Sequence, residues 1–277
     1  VYARPRLLVV DEVGYLSYSN RHADLLLEIV SRRYEAKSTL ITTNRPFAED
    51  DSRNPPPRTF LDRLTRRYSR TAYLIVVLCV YVVLASALAL ALTPAVLWWR
   101  WVAGWSASLP PLGQALAIAL GAAVAFFVFG FALLVVVPLY NLVLPTRVRP
   151  FKGGYYTLRA APWLLHNALF YLVRYTFLPF VTLTPFGIWF LKAMGMKIGR
   201  HAFVNTEYIS DPQLLTLGDD AALGGSVRIC AHFGGGGHLT VAPVVIGPRA
   251  TLGLAVTVMG DVEVGAEATV LPNSVLL

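Results

Sequence analysis

The amino-acid sequence predicts a mixed fold of three unlike parts: an N-terminal α/β segment, a transmembrane α-helical hairpin and a C-terminal left-handed parallel β-helix. Aliphatic residues at every sixth position predict the β-helix, because a three-sided coil with six residues on each side has that period. Two long uncharged stretches predict the hairpin, and an apolar strand ending in two acids predicts the α/β segment. The sixth-position residues are Ile246, Leu252, Val258, Val264 and Val270, with earlier repeats at Leu217, Leu223, Ile229, Ile198 and Val204.

The composition is that of a membrane protein with soluble parts. Of the 277 residues, 56% are hydrophobic and only 14% are charged, and the mean hydropathy is +0.56. The net charge of +8 comes largely from arginines beside the apolar stretches, where they act as topology signals. No basic stripe with interleaved aromatic residues occurs in the C-terminal part, so no nucleic-acid partner is expected for it. Cys79 and Cys230 imply no disulfide framework.

Changes in composition divide the chain into five segments. The run Pro55-Pro56-Pro57, followed by clustered arginines, marks a junction between unrelated sequences. Because the chain begins at Val1 without a methionine and ends in mid-repeat at Leu277, we expect truncation at both ends. The predicted segments are the α/β fragment 1–49, the Pro/Arg-rich junction 50–71, the hairpin 72–145, amphipathic interfacial helices 146–197 and the β-helix 198–277.

The N-terminal strand Leu7–Val10 delivers Asp11 and Glu12 at its carboxyl end. This is the Walker B arrangement, in which one acid holds magnesium and the next activates water. With the segments Ala23–Tyr34 and Ile41–Phe47, it resembles the IstB/DnaC-like P-loop ATPases that assist transposition. The resemblance implies that Asp11 and Glu12 are the Walker B pair and that Asn44 is the polar sensor.

The chain contains no G-x-x-x-x-G-K-[ST] loop, so nothing cradles nucleotide phosphates. We therefore interpret the first segment as a non-catalytic remnant. ATP and Mg²⁺ are expected as ligands only if the segment were completed.

The stretches Thr71–Trp99 and Leu112–Pro145 are each longer than the roughly 20 apolar residues that cross a bilayer. Positive charge flanks both outer ends, while the connecting loop holds only Arg100. The positive-inside rule then predicts a multi-pass protein of the bacterial inner membrane with both ends in the cytoplasm. Arg159 and Arg174 make a deep span expensive in the next segment, so interfacial helices are favoured over a third spanning helix.

The six-residue repeat is interrupted once, between Ile229 and Ile246. The interruption Cys230–His238 is expected to be a loop that projects from the coil. Its residue His232 is the predicted catalytic base, because the pKa of histidine lies near neutral pH and the ring can take a proton from an attacking amine or hydroxyl.

Segments on either side of this interruption resemble hexapeptide-repeat acetyltransferases of the sugar O-acetyltransferase type, in which the matching histidine is the base. They are Leu217–Ala221, Val227–His232 and Ile246–Ala250. Residues from about Leu74 to Leu277 also resemble the C-terminal region of poly-lysine-synthetase-type non-ribosomal peptide synthetases. That resemblance implies amide-bond formation from coenzyme A or carrier-protein phosphopantetheine thioesters. It also implies adenylation and carrier domains as partners, besides membrane lipid.

Other polar residues are weaker candidates. Asn205 and Glu207 would line a substrate cleft if coils pack as a homotrimer or pseudo-trimer, and His238 is a substrate contact or a loop residue. Asp211 before Pro212 is interpreted as a turn former. His201 is placed on the surface, His22 and His166 are assigned to structure, and no metal site is predicted.

Three functions follow from these patterns. The first is a membrane-anchored acyl- or aminoacyl-transferase unit of a peptide synthetase. The second is an IstB-like ATP-binding transposition helper. The third is a catalytically inactive β-helix that serves as an assembly platform.

Overall fold

The computed structural model describes residues 7–10, 38–41, 69–154, 157, 159–235 and 238–277. The chain divides into two compact units, Val1–Arg53 and Asn54–Leu277. In the first unit, strands β1 (Leu7–Val10) and β2 (Ser38–Ile41) pair in parallel, as an α/β fragment requires. Asp11, Glu12, Asn44 and His22 lie outside the described residues.

The second unit begins with an antiparallel pair of long helices, α1 (Ser69–Ser106) and α2 (Pro111–Val143). Within the described residues these are the two helices long and apolar enough to cross a membrane. Pro111 begins α2 because its fixed φ suits a first helical position and its missing N–H is not needed there. The indole Nε1 of Trp98 donates to the carbonyl of Gly121 at 3.1 Å and joins the two helices.

Three shorter helices follow the hairpin: α3 (Ala161–Arg174), α4 (Leu178–Val181) and α5 (Pro185–Ala193). At 14 residues, α3 is shorter than a bilayer span. Phe177, between α3 and α4, lies against α2 with its ring 5.4 Å from that of Phe131. These helices therefore pack alongside the hairpin.

Gly130 of α2 is the point of closest approach to this layer. A Cβ at Gly130 would lie 2.1 Å from Cδ2 of Phe177, whose side chain is buried. We expect Gly130→Ala to lower the free energy of unfolding by roughly 1–3 kcal/mol, because the ring has no space to move.

The matched control is Gly104→Ala in α1, where the added Cβ meets nothing within 4 Å. Alanine favours a helix over glycine by up to about 1 kcal/mol, so this change should be neutral or stabilising. Thermal unfolding followed by circular dichroism in detergent compares the two. Equal effects would mean that the Gly130–Phe177 contact carries no packing constraint.

Twelve of the remaining strands form three four-stranded parallel sheets that the chain visits in rotation. This is the path of a three-sided parallel β-helix, while its left-handedness stays a prediction. The first sheet holds β4 (Lys197–Ile198), β7 (Leu215–Leu217), β12 (Val244–Ile246) and β15 (Glu263–Val264); the second holds β5 (Phe203–Val204), β8 (Ala222–Leu223), β13 (Thr251–Leu252) and β16 (Thr269–Val270); the third holds β6 (Ile209–Ser210), β9 (Arg228–Cys230), β14 (Thr257–Val258) and β17 (Val275–Leu276).

The sixth-position residues stack on one another inside the coil. Leu217 pairs with Ile246, which pairs with Val264, and all three are buried. Small residues four places later, such as Ala221 and Ala250, are also fully buried. The parallel sheets predicted from the repeat are thus confirmed.

The interruption of the repeat is a β-hairpin, so the prediction of a loop there is wrong. Its strands β10 (His232–Gly235) and β11 (His238–Val241) are antiparallel, and β11 also pairs with β3 (Phe151–Gly154), just beyond the hairpin helices. The physical reason is alternation: Leu239 and Val241 are buried and pack with Val148 and Ala160 in a small second core.

Candidate functional site

The candidate site lies at the corner where the third sheet leads back to the first. Asp211 follows β6 in the first turn of the coil, and His232 follows β9 in the second turn. Because Ser210 and Cys230 are paired neighbours on these strands, the corners that follow them are stacked. The result is a contact of 2.5 Å between Nδ1 of His232 and Oδ2 of Asp211.

Asp211 has a left-handed backbone conformation, with φ 58° and ψ 52°. Two turns later, Asp261 has φ 72° one position further along the same corner, so left-handed residues recur at this corner of the coil. Aspartate accepts left-handed angles more readily than most residues. The interpretation of Asp211 as a turn former is therefore consistent with the structure, but it omits the contact with His232.

Two side chains of α3 hold the carboxylate of Asp211. Nε1 of Trp163 donates to Oδ1 at 2.8 Å, and Nδ2 of Asn167 donates to the same oxygen at 2.6 Å. The backbone N–H of Asp211 donates in turn to Oδ1 of Asn167 at 3.3 Å. Asp211 is completely buried, and these donors offset much of the cost of removing a charge from water.

His232 presents its second ring nitrogen to the outside. Its Nδ1 faces Asp211, and its ring packs edge-to-face on Trp163 with centroids 5.1 Å apart. The side chain is 23% exposed, and among the described residues Nε2 has no hydrogen-bond partner. A carboxylate at Nδ1 fixes the proton there and leaves Nε2 as the basic nitrogen.

Cys230 lies near this pair, and burial raises the pKa of its thiol. A raised pKa leaves little thiolate at neutral pH, so Cys230 is unsuited to be a nucleophile. Its neighbour Ser210 accepts one hydrogen bond from Nη1 of Arg174 (3.2 Å), and its hydroxyl lies 2.9 Å from that of Tyr171. This group anchors α3 on the third sheet.

A buried polar network joins the end of the hairpin to the same corner. Nδ1 of His166 lies 2.8 Å from Oδ1 of Asn141 on α2, and Nε2 of Gln213 lies 3.1 Å from the same ring nitrogen. Gln213 also receives the backbone N–H of Val148 and donates to the carbonyl of Thr146. Burial lowers the pKa of His166 from 6.5 to about 4, so the ring is neutral at physiological pH.

The depressed pKa of His166 predicts acid sensitivity. Between pH 6.5 and about 4 the unfolded chain binds a proton that the folded chain does not, so stability falls as the pH falls through this window. From pH 7 to pH 5 the loss is about 2 kcal/mol. Unfolding of the protein in detergent at both pH values measures it.

In His166→Gln the loss attributed to His166 should disappear, whereas the exposed-histidine control His201→Ala should keep it. An unchanged pH dependence in His166→Gln would show that His166 is not the group that titrates.

The other residues predicted for the site lie elsewhere in this chain. Asn205 and Glu207 occupy the corner between the second and third sheets, where the backbone N–H of Asn205 donates to the carbonyl of Leu223. His238 begins β11 opposite Gly235. His201 is on the surface, with Nδ1 3.3 Å from Asp220.

The sequence did not assign Trp163 and Asn167 to the site. It also did not predict that Asp211 is the acid that contacts His232.

Within the described part of the chain, no group of three or more His, Cys, Asp and Glu side chains is placed to hold a metal ion. The Asp211–His232 pair itself can transfer a proton, because a buried carboxylate orients the histidine. The chain thus combines two apolar helices with a coil of parallel sheets, and one corner of the coil carries an Asp–His pair held by α3.

Comparisons with known proteins match the N-terminal part to a family of ATP-binding proteins. The family model for IstB-like ATP binding proteins matches residues 1–69. The insertion sequence IS232 putative ATP-binding protein of Bacillus thuringiensis subsp. berliner is 36% identical over 66 residues, which are 23% of this chain and 26% of that protein. The IS21 putative ATP-binding protein of Pseudomonas aeruginosa is 41% identical over 44 residues, 16% of this chain and 17% of that protein.

The predicted resemblance to IstB-like proteins is thus confirmed, and it extends to residue 69 rather than 49. The chain spans about a quarter or less of the length of these relatives.

Among solved structures, serine acetyltransferase isoform 3 of Entamoeba histolytica in complex with cysteine is 12% identical, with 60% of this chain and 64% of that chain covered. Its TM-score is 0.19, a likeness too slight to define the fold.

Proposed function

We propose that the C-terminal unit is a membrane-anchored acyl- or aminoacyl-transferase of the kind found in non-ribosomal peptide synthetases. The observation that carries this proposal is the pair His232–Asp211, in which a fully buried carboxylate faces Nδ1 of a partly exposed histidine at 2.5 Å. This is the arrangement of a general base with an orienting acid.

In the proposed reaction, Nε2 of His232 takes a proton from the acceptor amine as its nitrogen attacks the carbonyl carbon of a thioester. The C–S bond then breaks, and the imidazolium returns the proton to the leaving thiolate. Asp211 holds the ring in the required tautomer and stabilises its transient positive charge. The products are an amide and a free thiol, so atoms and charge balance without a further reactant.

The donor is proposed to be coenzyme A or the phosphopantetheine of a carrier domain, with an adenylation domain upstream. Two helices of spanning length would hold the unit at the cytoplasmic face of a bacterial inner membrane. Asn205 and Glu207 lie at a corner other than that of His232, so they would reach the site from a second coil in a homotrimer or pseudo-trimer.

The test is a turnover assay with the full chain in detergent or nanodiscs. A panel of acyl and aminoacyl pantetheine thioesters is offered with amine acceptors, and thiol release and amide product are measured together. Acceptor-dependent release of thiol with a matching amide supports the proposal. If release is absent across the panel while the protein stays folded and assembled, the inactive platform is the better explanation.

The match of residues 1–69 to IstB-like proteins favours a second function, ATP binding in transposition. Asp11, Glu12 and Asn44 would supply magnesium and sensor contacts, but the chain lacks the phosphate loop that would hold the nucleotide. Calorimetric titration of the full chain with ATP and Mg²⁺ decides. Magnesium-dependent binding that Asp11→Asn abolishes would establish a nucleotide site in this segment.

A further inference from the structure

A cavity of about 520 Å³ opens at the end of the hairpin, between the end of α2 and the start of α3. Three arginines line it: Arg147, Arg149 and Arg159. Trp163 forms part of its wall with the side chain that also holds Asp211. The cavity therefore lies where a membrane surface would meet the protein.

No described residue around these three arginines neutralises their charge. Within the described part of the chain, none of them has a hydrogen bond or an ion pair, and no acidic residue lines the cavity. The first turn of α3 also contributes to the wall through Pro162 and Trp163, so the positive end of a 14-residue helix adds to the field. An anion is the ligand that this concentration of charge favours.

A second, apolar cavity of about 280 Å³ adjoins the first, and the two share Pro145 and Pro162. It lies between the N-terminal half of α1 and the start of α3. Its polar lining is limited to a thiol, because the remaining residues are aliphatic; they are Ile75, Val76, Cys79, Val80, Val83 and Leu165, with Ala161 at the edge. The groove runs along the helix that would enter the bilayer.

The arginine cavity and the apolar groove together match an amphiphile with an anionic head and a hydrocarbon chain. We propose that they form a binding site for an anionic phospholipid, with the head-group phosphate among Arg147, Arg149 and Arg159 and an acyl chain along α1. Basic pockets beside transmembrane helices on the cytoplasmic side bind anionic lipid head groups by this chemistry. The proposal rests on the hairpin crossing a bilayer and not on the transferase reaction.

A soluble phosphate ester would use the arginine cavity alone, whereas a phospholipid needs both parts. The groove favours the lipid, because an apolar channel that continues from a charged cavity has no function for a hydrophilic phosphate. The cavity also lies beside the end of a spanning-length helix, where phospholipid is the most abundant anion.

The test is native mass spectrometry of the full chain released from detergent, with phosphatidylglycerol or phosphatidylcholine of identical acyl chains added. We expect retention of one phosphatidylglycerol in preference to phosphatidylcholine. The triple variant Arg147→Gln/Arg149→Gln/Arg159→Gln should lower the apparent affinity for phosphatidylglycerol by roughly tenfold or more. The matched control Arg100→Gln, an exposed arginine at the other end of the hairpin, should bind as the wild type does.

Cys79→Trp tests the groove separately, because Cys79 is exposed and an indole there would fill the channel. It should weaken binding of phosphatidylglycerol and leave that of inorganic phosphate unchanged. Circular dichroism confirms that each variant is folded.

Three results would overturn the proposal: equal retention of both lipids, unchanged binding by the triple variant, or unchanged binding by Cys79→Trp. Displacement of the lipid by coenzyme A, with the same dependence on the arginines, would assign the cavity to a soluble phosphate ester instead. The transferase proposal survives each of these results, since the lipid assay measures no turnover.

Discussion

Replacing His232 with alanine is expected to lower the rate of thioester-to-amine transfer by about 10² to 10⁴-fold, the usual contribution of a general base. Without the imidazole, the corner loses the group that is placed to take the proton of the attacking amine. Cys230 cannot substitute, because burial raises the pKa of its thiol. The loss should appear in kcat, since the proton moves only as the transition state forms.

The fold should survive this substitution, because His232 is partly exposed and starts a strand whose ladder is made by the backbone. The matched control is His201→Ala, which removes a histidine that also contacts an aspartate at a corner of the coil, but on the surface. Wild-type turnover in His201→Ala and loss in His232→Ala would assign the effect to the site. Equal turnover in both variants would contradict the proposed mechanism.

The sequence predicted those features that depend on local periodicity. A period of six predicted the three sheets, and the absence of charge predicted the two long helices. The same regularity made the interruption visible and led to His232. Each inference needed only residues within a few positions of one another, where the chemical pattern and the geometry coincide.

The environment of His232 could not be predicted in this way. Asp211 reaches it through the register of β6 and β9, and the carboxylate is held by Trp163 and Asn167 on a helix more than forty positions earlier. Trp163 and Asn167 share a helix face because they are four residues apart, but nothing local indicates their partner. The glycines of the interruption predicted a loop, whereas the packing of Leu239 and Val241 stabilises a β-hairpin there.

The hairpin shares a hydrophobic core with the rest of the second unit. One continuous core contains Ala87 of α1, Val137 of α2, Phe170 of α3 and Leu217 of the coil. The hairpin is therefore joined to the coil through the shorter helices, within one packed unit. Since α3 supplies both side-chain donors to Oδ1 of Asp211, a helix that packs beside the hairpin takes part in positioning the site.

This dependence makes Asp211→Asn the second informative substitution. The new amide has the same size, and its oxygen still accepts hydrogen bonds from Trp163 and Asn167. Its NH₂ group would then face Nδ1 of His232, where the carboxylate Oδ2 now lies at 2.5 Å. Two donors in contact repel, so the imidazole moves its proton to Nε2 and offers Nδ1 as the acceptor.

A histidine with its proton on Nε2 cannot take another from the acceptor amine. We therefore expect Asp211→Asn to lower kcat by about 10³ to 10⁴-fold although His232 is unchanged. The free energy of unfolding should fall by about 1–3 kcal/mol, as expected when one buried polar contact is altered. The ¹⁵N chemical shifts of the His232 ring should show the change of tautomer directly.

Asp220→Asn is the matched control, because Asp220 is also a left-handed corner residue in contact with a histidine but is exposed. It should leave both turnover and the tautomer of His232 as they are. If Asp211→Asn also kept wild-type turnover, Asp211 would be a corner residue alone. If turnover fell without a change of tautomer, the carboxylate would act by stabilising the imidazolium and not by orienting the ring.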